Sequence, residues 1–137
     1  MRQINKLIVH CSATREGQDV SVDTIRKWHV EGRGWSDIGY HFYIDIYGKI
    51  HKGRDIAKMG AHCKGYNRNS IGICYAGGVE KDGKTPADTR TFEQEEALLC
   101  VLRTLKAMYP GAVIHSHKDF ANKACPSFDA TEEYKDL

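Results

Sequence analysis

Apolar residues along this chain come in short groups of differing period. Leu7-Ile8-Val9 sits within Lys6 to Cys11 and gives way to the polar stretch Ser12 to Asp19, so it reads as a short buried strand. Ser21 is placed to cap a helix that brings Ile25, Trp28 and His29 onto one face and ends at Gly32. Beyond the loop Gly32-Arg33-Gly34-Trp35, the residues Tyr40 to Ile46 alternate. Phe42, Ile44 and Ile46 fall on one face, and His41, Tyr43 and Asp45 on the other. Tyr47-Gly48 turns this strand into a second, Lys49 to Lys52, which makes a hairpin.

Residues 53 to 69 carry Gly53, Gly60 and Gly65 without a clear period and read as a long shaped loop, a kind of segment that often binds. Ser70 to Ala76 is a further strand, closed by Gly77-Gly78, and Glu80 to Arg90 is a polar surface excursion. Thr91 and Gln94 have the spacing of a capping box. The helix they open carries Leu98, Val101, Leu102 and Leu105 as its apolar stripe. Its early Glu93, Glu95 and Glu96 suit the positive end of the helix dipole, and Pro110-Gly111 stops it. Ala112 to Ser116 is the last strand, and a loop through Cys125-Pro126 leads to a short helix near Thr131. The alternation predicts an α/β fold with a central mixed β-sheet flanked by helices, since the hairpin excludes an all-parallel sheet.

Length adds that residues 1–137 form a single domain. Twenty basic against 18 acidic side chains, a net charge of +2, is too mild to announce a nucleic-acid partner. No apolar run approaches the ~20 residues of a membrane helix or the roughly 7 to 15 of a signal-peptide core. The expectation is therefore no membrane partner and synthesis in the cytoplasm. Five cysteines without a Cys-x-x-Cys pair suggest reduced thiols rather than a disulfide framework or a two-knuckle zinc site.

Chemistry concentrates at three positions. His10 nearly closes the first strand, His117 follows the last one, and Cys125 comes eight residues later. Two imidazoles and a thiolate would give zinc three ligands and leave the fourth position for water, the open arrangement of a catalytic site. Pro126 biases Cys125 toward extended geometry, which would set Lys123 on the same side, beside a developing oxyanion. Spacing alone leaves alternatives open. His10 reads equally as a hydrogen-bonded strand-end histidine, Cys125 as a buried thiol, Tyr40 as a half-buried strand tyrosine and Lys123 as a solvated charge.

Four ordered blocks carry a more specific signal: Val9-His10-Cys11-Ser12-Ala13-Thr14; Gly34-Trp35-Ser36-Asp37-Ile38-Gly39-Tyr40-His41-Phe42; Gly60-Ala61-His62 with Gly65 to Ile73; and His117 with Lys123 to Asp129. Spanning residues 9 to 129, they resemble the zinc-dependent N-acetylmuramoyl-L-alanine amidases of the peptidoglycan recognition protein family, and most of all the small amidase-type phage lysozymes. The resemblance implies one Zn²⁺ per chain, held in a surface groove by His10, His117 and Cys125, with Tyr40 and Lys123 as catalytic residues. His62, Asn67 and His41 become candidates for contact with the muramyl peptide, the histidines alternatively for support of the ligands.

The implied reaction cuts peptidoglycan between N-acetylmuramic acid and L-alanine, in a monomeric phage or prophage endolysin that reaches the cell wall after holin-type release. Two other functions come with the resemblance. One is a noncatalytic peptidoglycan-binding module, although such members typically lack the cysteine ligand that Cys125 supplies here. The other is a regulator that binds phage RNA polymerase. Phage relatives pair that role with an N-terminal extension, whereas only Met1 to Asn5 precede Lys6 in this sequence.

Overall fold

The computed structural model describes residues 2–137. Among the described residues seven strands and three α-helices follow one another as β1 (Lys6–Cys11), β2 (Thr14–Arg15), α1 (Val22–Arg33), β3 (Phe42–Ile44), β4 (Ile50–Lys52), β5 (Ser70–Tyr75), β6 (Gly78–Val79), α2 (Phe92–Met108), β7 (Val113–Ser116) and α3 (Ala130–Glu133). Five strands form one mixed sheet in the order β4-β3-β5-β1-β7, with only the β3–β4 hairpin antiparallel. β2 and β6 make a separate parallel pair, so Gly77-Gly78 follows the end of β5 and also leads into a small strand.

The two faces of the sheet divide the core. Leu7, Val9, Ile71, Ile73 and Tyr75 pack with Leu98, Val101, Leu102 and Leu105 of α2. Because side chains alternate across a strand, His10 and Cys74 point to the other face, where Tyr43, Val20 and Ile25 of α1 gather. α2 starts at the expected capping box, with Thr91 and Gln94 bonded reciprocally. Buried Gln94 also donates to the carbonyls of Asp45 and Ala76, tying the helix start to the ends of β3 and β5.

Several elements depart from their sequence reading. α1 continues past Gly32 to Arg33 and is capped by Gly34 at φ 72°, a left-handed conformation that glycine adopts freely. The helix meets the sheet through Val22 and Ile25, which leaves Trp28 46% exposed rather than on a buried face. β3 ends at Ile44 because Asp45 accepts the N–H groups of Tyr47 and Lys49, so Ile46 packs beside Tyr43 instead of sharing the face of Ile44. The 80–90 segment is not wholly superficial. The side chain of Arg90 is 2% exposed, 2.9 Å from both Asp88 and Glu133 and stacked on Phe128.

Candidate metal centre

β1 and β7 run parallel as neighbours, with Val9 opposite Ser116, so both deliver their C-terminal ends to the same edge of the sheet. His10 is the penultimate residue of β1 and His117 opens the 3-10 turn that follows β7. Cys125 arrives from a separate loop that is fastened at several points. The Cys11 N–H donates to Cys125 Sγ (3.1 Å), the Lys118 N–H to the Cys125 carbonyl (2.8 Å), and the Tyr75 hydroxyl to the Pro126 carbonyl (2.6 Å). Ser127 closes the series by donating to the Gly78 carbonyl (2.7 Å).

In consequence one ligand atom from each of His10, His117 and Cys125 lies within 4.8 Å of the others. His117 Nδ1 is buried and has no hydrogen-bond partner among the described residues, which is unusual for a buried ring nitrogen and suits a metal ligand. His10 is 1% exposed, and its Nε2 lies 2.8 Å from His62 Nδ1, leaving Nδ1 to face the cluster. Burial, with nearby imidazoles and Lys123, holds the His10 pKa well below the ordinary value, and burial with Lys123 lowers that of His117. Both rings are thus neutral at pH 7, as metal ligation requires. The Cys11 thiol beside it and burial push the Cys125 thiol up. A coordinated cation reverses that preference, since a ligating thiol gives up its proton. Two neutral imidazoles and a thiol form a donor set for zinc with room for a further ligand.

Beside the cluster lies a groove of about 720 Å³ lined by Trp35, His62, Asn67, His117, Phe120 and Lys123, among others. Lys123 stands exposed on its wall, in a stretch of turns rather than the extended segment expected from Pro126. The Cys125–Pro126 bond is cis; Cys125 belongs to the ligand cluster and Lys123 to the groove wall, and His117 is common to both. Tyr40 places its ring 5.1 Å from that of His10. Burial above all, then the surrounding thiols of Cys74, Cys125 and Cys11, raises its phenol pKa, so the hydroxyl keeps its proton.

The candidate substrate residues separate. His62 and Asn67 line the groove, and Asn67 Oδ1 accepts the N–H groups of both His62 and Cys63 at 2.9 Å. His41 does not reach the groove. It is buried behind His62, its Nδ1 accepting the Gly72 N–H (3.0 Å) and its Nε2 donating to the Lys58 carbonyl (2.8 Å). With both nitrogens engaged by backbone it has none for a ligand, which corrects its expected contact with the muramyl peptide. Two contributors escaped the sequence reading: the Cys11 N–H and the Ser70 hydroxyl, 3.2 Å from His62 Nε2. The first adjoined a candidate ligand, while nothing local distinguished the second.

A family model for N-acetylmuramoyl-L-alanine amidase matches residues 1–128. The endolysin of Enterobacteria phage T3 is 50% identical over 123 residues, which are 90% of this chain and 80% of that protein. Among solved structures, the N-acetylmuramoyl-L-alanine amidase LysC from Clostridium intestinale superposes with a TM-score of 0.81 at 29% identity, over 96% of this chain and 82% of the other. The ectodomain complex of peptidoglycan recognition proteins LCa and LCx bound to tracheal cytotoxin gives 0.82 at 24% identity, over 100% of this chain and 84% of the other, a likeness of fold.

Proposed function

The chain belongs to the N-acetylmuramoyl-L-alanine amidase family, and from that premise we propose that it is a zinc-dependent endolysin hydrolysing the amide between the lactyl group of N-acetylmuramic acid and L-alanine of the stem peptide. The observation that carries the metal assignment is the meeting of His10, His117 and Cys125, with His117 Nδ1 buried and without a hydrogen-bond partner among the described residues, beside a groove. Those three residues would hold the ion. When bound, zinc supplies a Lewis acid that polarises the scissile carbonyl and acidifies an attacking water.

The remaining work falls to the chain. The groove takes the muramyl peptide along the wall formed by His62 and Asn67. Lys123 offers an ammonium to the oxyanion that develops as the carbonyl is attacked, in a site where one such donor is worth on the order of 10²–10³ in rate. Tyr40 keeps its phenolic proton and orients the attacking water or hands a proton toward the departing amine. The enzyme works as a monomer on the cell wall, which it reaches through a holin-type pore.

Digestion of purified peptidoglycan tests the reading directly. Metal-loaded protein releases new alanine amino termini, chelator abolishes the release, and no reducing sugar ends appear. Reducing ends would identify a glycosidase. Neither product from folded, zinc-loaded protein would leave a binding module.

A further inference from the structure

Behind the candidate metal ligand His10 lies a second histidine whose surroundings are built around its ring. His10 Nε2 and His62 Nδ1 are 2.8 Å apart, and His62 Nε2 is 3.2 Å from the Ser70 hydroxyl. All three side chains are buried. The rings of His10 and His62 meet edge to face, at 88°.

The backbone clears space for this arrangement. A Cβ at Gly72 of β5 would come within 2.6 Å of the His62 ring, and one at Gly60 within 2.8 Å of it. Asn67 clamps the backbone that carries the ring by accepting two successive N–H groups. His41, saturated by the backbone, forms a wall with its ring 5.8 Å away.

We propose that His62 is a positioning residue for the metal centre, holding His10 as the tautomer protonated on Nε2 so that Nδ1 faces the ion. The inference rests on the zinc reading above. With one proton on each ring, the line His10–His62–Ser70 has two self-consistent orders. In one, His10 Nε2–H donates to His62 Nδ1, and His62 Nε2–H donates to the Ser70 oxygen. In the other, Ser70 donates to His62, His62 donates to His10, and the His10 proton sits on Nδ1. Only the first leaves a bare nitrogen toward His117 and Cys125. Partners of this kind fix ring orientation in metal sites, and their loss typically lowers metal affinity 10–100-fold.

The test combines nitrogen NMR of the ring-labelled zinc protein with zinc competition against a chromophoric chelator. In wild type, His10 is expected to be protonated at Nε2 and metallated at Nδ1. His62→Phe, which removes the acceptor, is expected to weaken zinc binding 10–100-fold. His62→Asn, whose amide oxygen can replace Nδ1, is expected to restore most of that affinity, a rescue that a purely space-filling role would not give. Zinc on His10 Nε2, or a folded His62→Phe with wild-type affinity, overturns the proposal. Should His62→Phe fail to fold, the wild-type spectrum still decides. A wild-type protein that holds no zinc overturns the metal reading itself, whereas bound zinc with the wrong His10 tautomer overturns this inference alone.

Discussion

The imidazoles of His10 and His117 lie with ring centres 4.4 Å apart and planes tilted by 49°, although His10 belongs to β1 and His117 to the 3-10 turn that follows β7. Their closeness follows from parallel pairing of β1 with β7, which ends both strands at one edge. Cys125 completes the set because its loop is bonded to Cys11 at the end of β1. Replacing Cys125 by Ser should therefore lower zinc affinity by more than the roughly 10–100-fold that losing a supporting partner costs, and abolish turnover. Binding of intact muramyl peptide should persist. Titration with zinc and a turnover assay on the same variant check both parts, and full activity with zinc bound would refute the ligand assignment.

Lys123 touches the groove rather than the ligand cluster. Lys123→Ala should keep its zinc content and lower kcat on the order of 10²–10³-fold. Metal analysis alongside steady-state kinetics separates this outcome from loss of the metal.

Stability should fall with acid in a defined window. Burial, helped by Arg33 and Arg54, depresses His29 to about 4, and burial depresses His41 to about 4. Their unfolded counterparts take protons near pH 6.5. Between those values the unfolded chain binds more protons than the folded one, so unfolding becomes more favourable as pH drops. His10 and His62, also lowered by burial, act with the same sign. The Tm of metal-free protein should decline as pH falls from about 6.5 toward 4. A Tm unchanged at pH 4.5 would contradict the buried-neutral assignment.

Gln94 serves three backbone groups at once: it accepts from the Thr91 N–H and donates to the Asp45 and Ala76 carbonyls. Gln94→Ala strands them and should destabilise the fold by about 3 kcal/mol, against about 1 kcal/mol for Thr91→Ala, which removes the cap alone. Urea denaturation of the two variants measures the difference.

Arg90 holds the loop before α2 to α3 through Asp88 and Glu133, with Phe128 under its guanidinium. Arg90→Ala removes charge-assisted hydrogen bonds and the stack on Phe128, but the half-exposed carboxylates it leaves can be solvated by water, so it should destabilise the protein by about 1–3 kcal/mol. Arg90→Lys should recover only part, because an ammonium cannot reproduce the planar fork. Thermal melts of both variants provide the comparison.

Local signals in the sequence determined the elements and the chemistry available. The apolar run of β1, the Tyr40–Lys52 hairpin and the Thr91–Gln94 capping box all express preferences within a few residues of themselves, so they were legible without a fold. The candidate ligands were legible as residue types, and their ordered blocks pointed to the family. Spacing alone could not determine which of seven histidines would meet; the resemblance of the blocks named them without giving the reason. That depends on strand order, since His10 and His117 converge only because β1 lies beside β7. Neither could it reveal that His41 turns inward while His62 backs His10. Both lie in the matched blocks, and only the backbone groups of Gly72 and Lys58, brought near by packing, decide where the nitrogens of His41 are spent. Arg90 looked like surface charge for the same reason: its partner Glu133 is distant along the chain and adjacent only in the folded state.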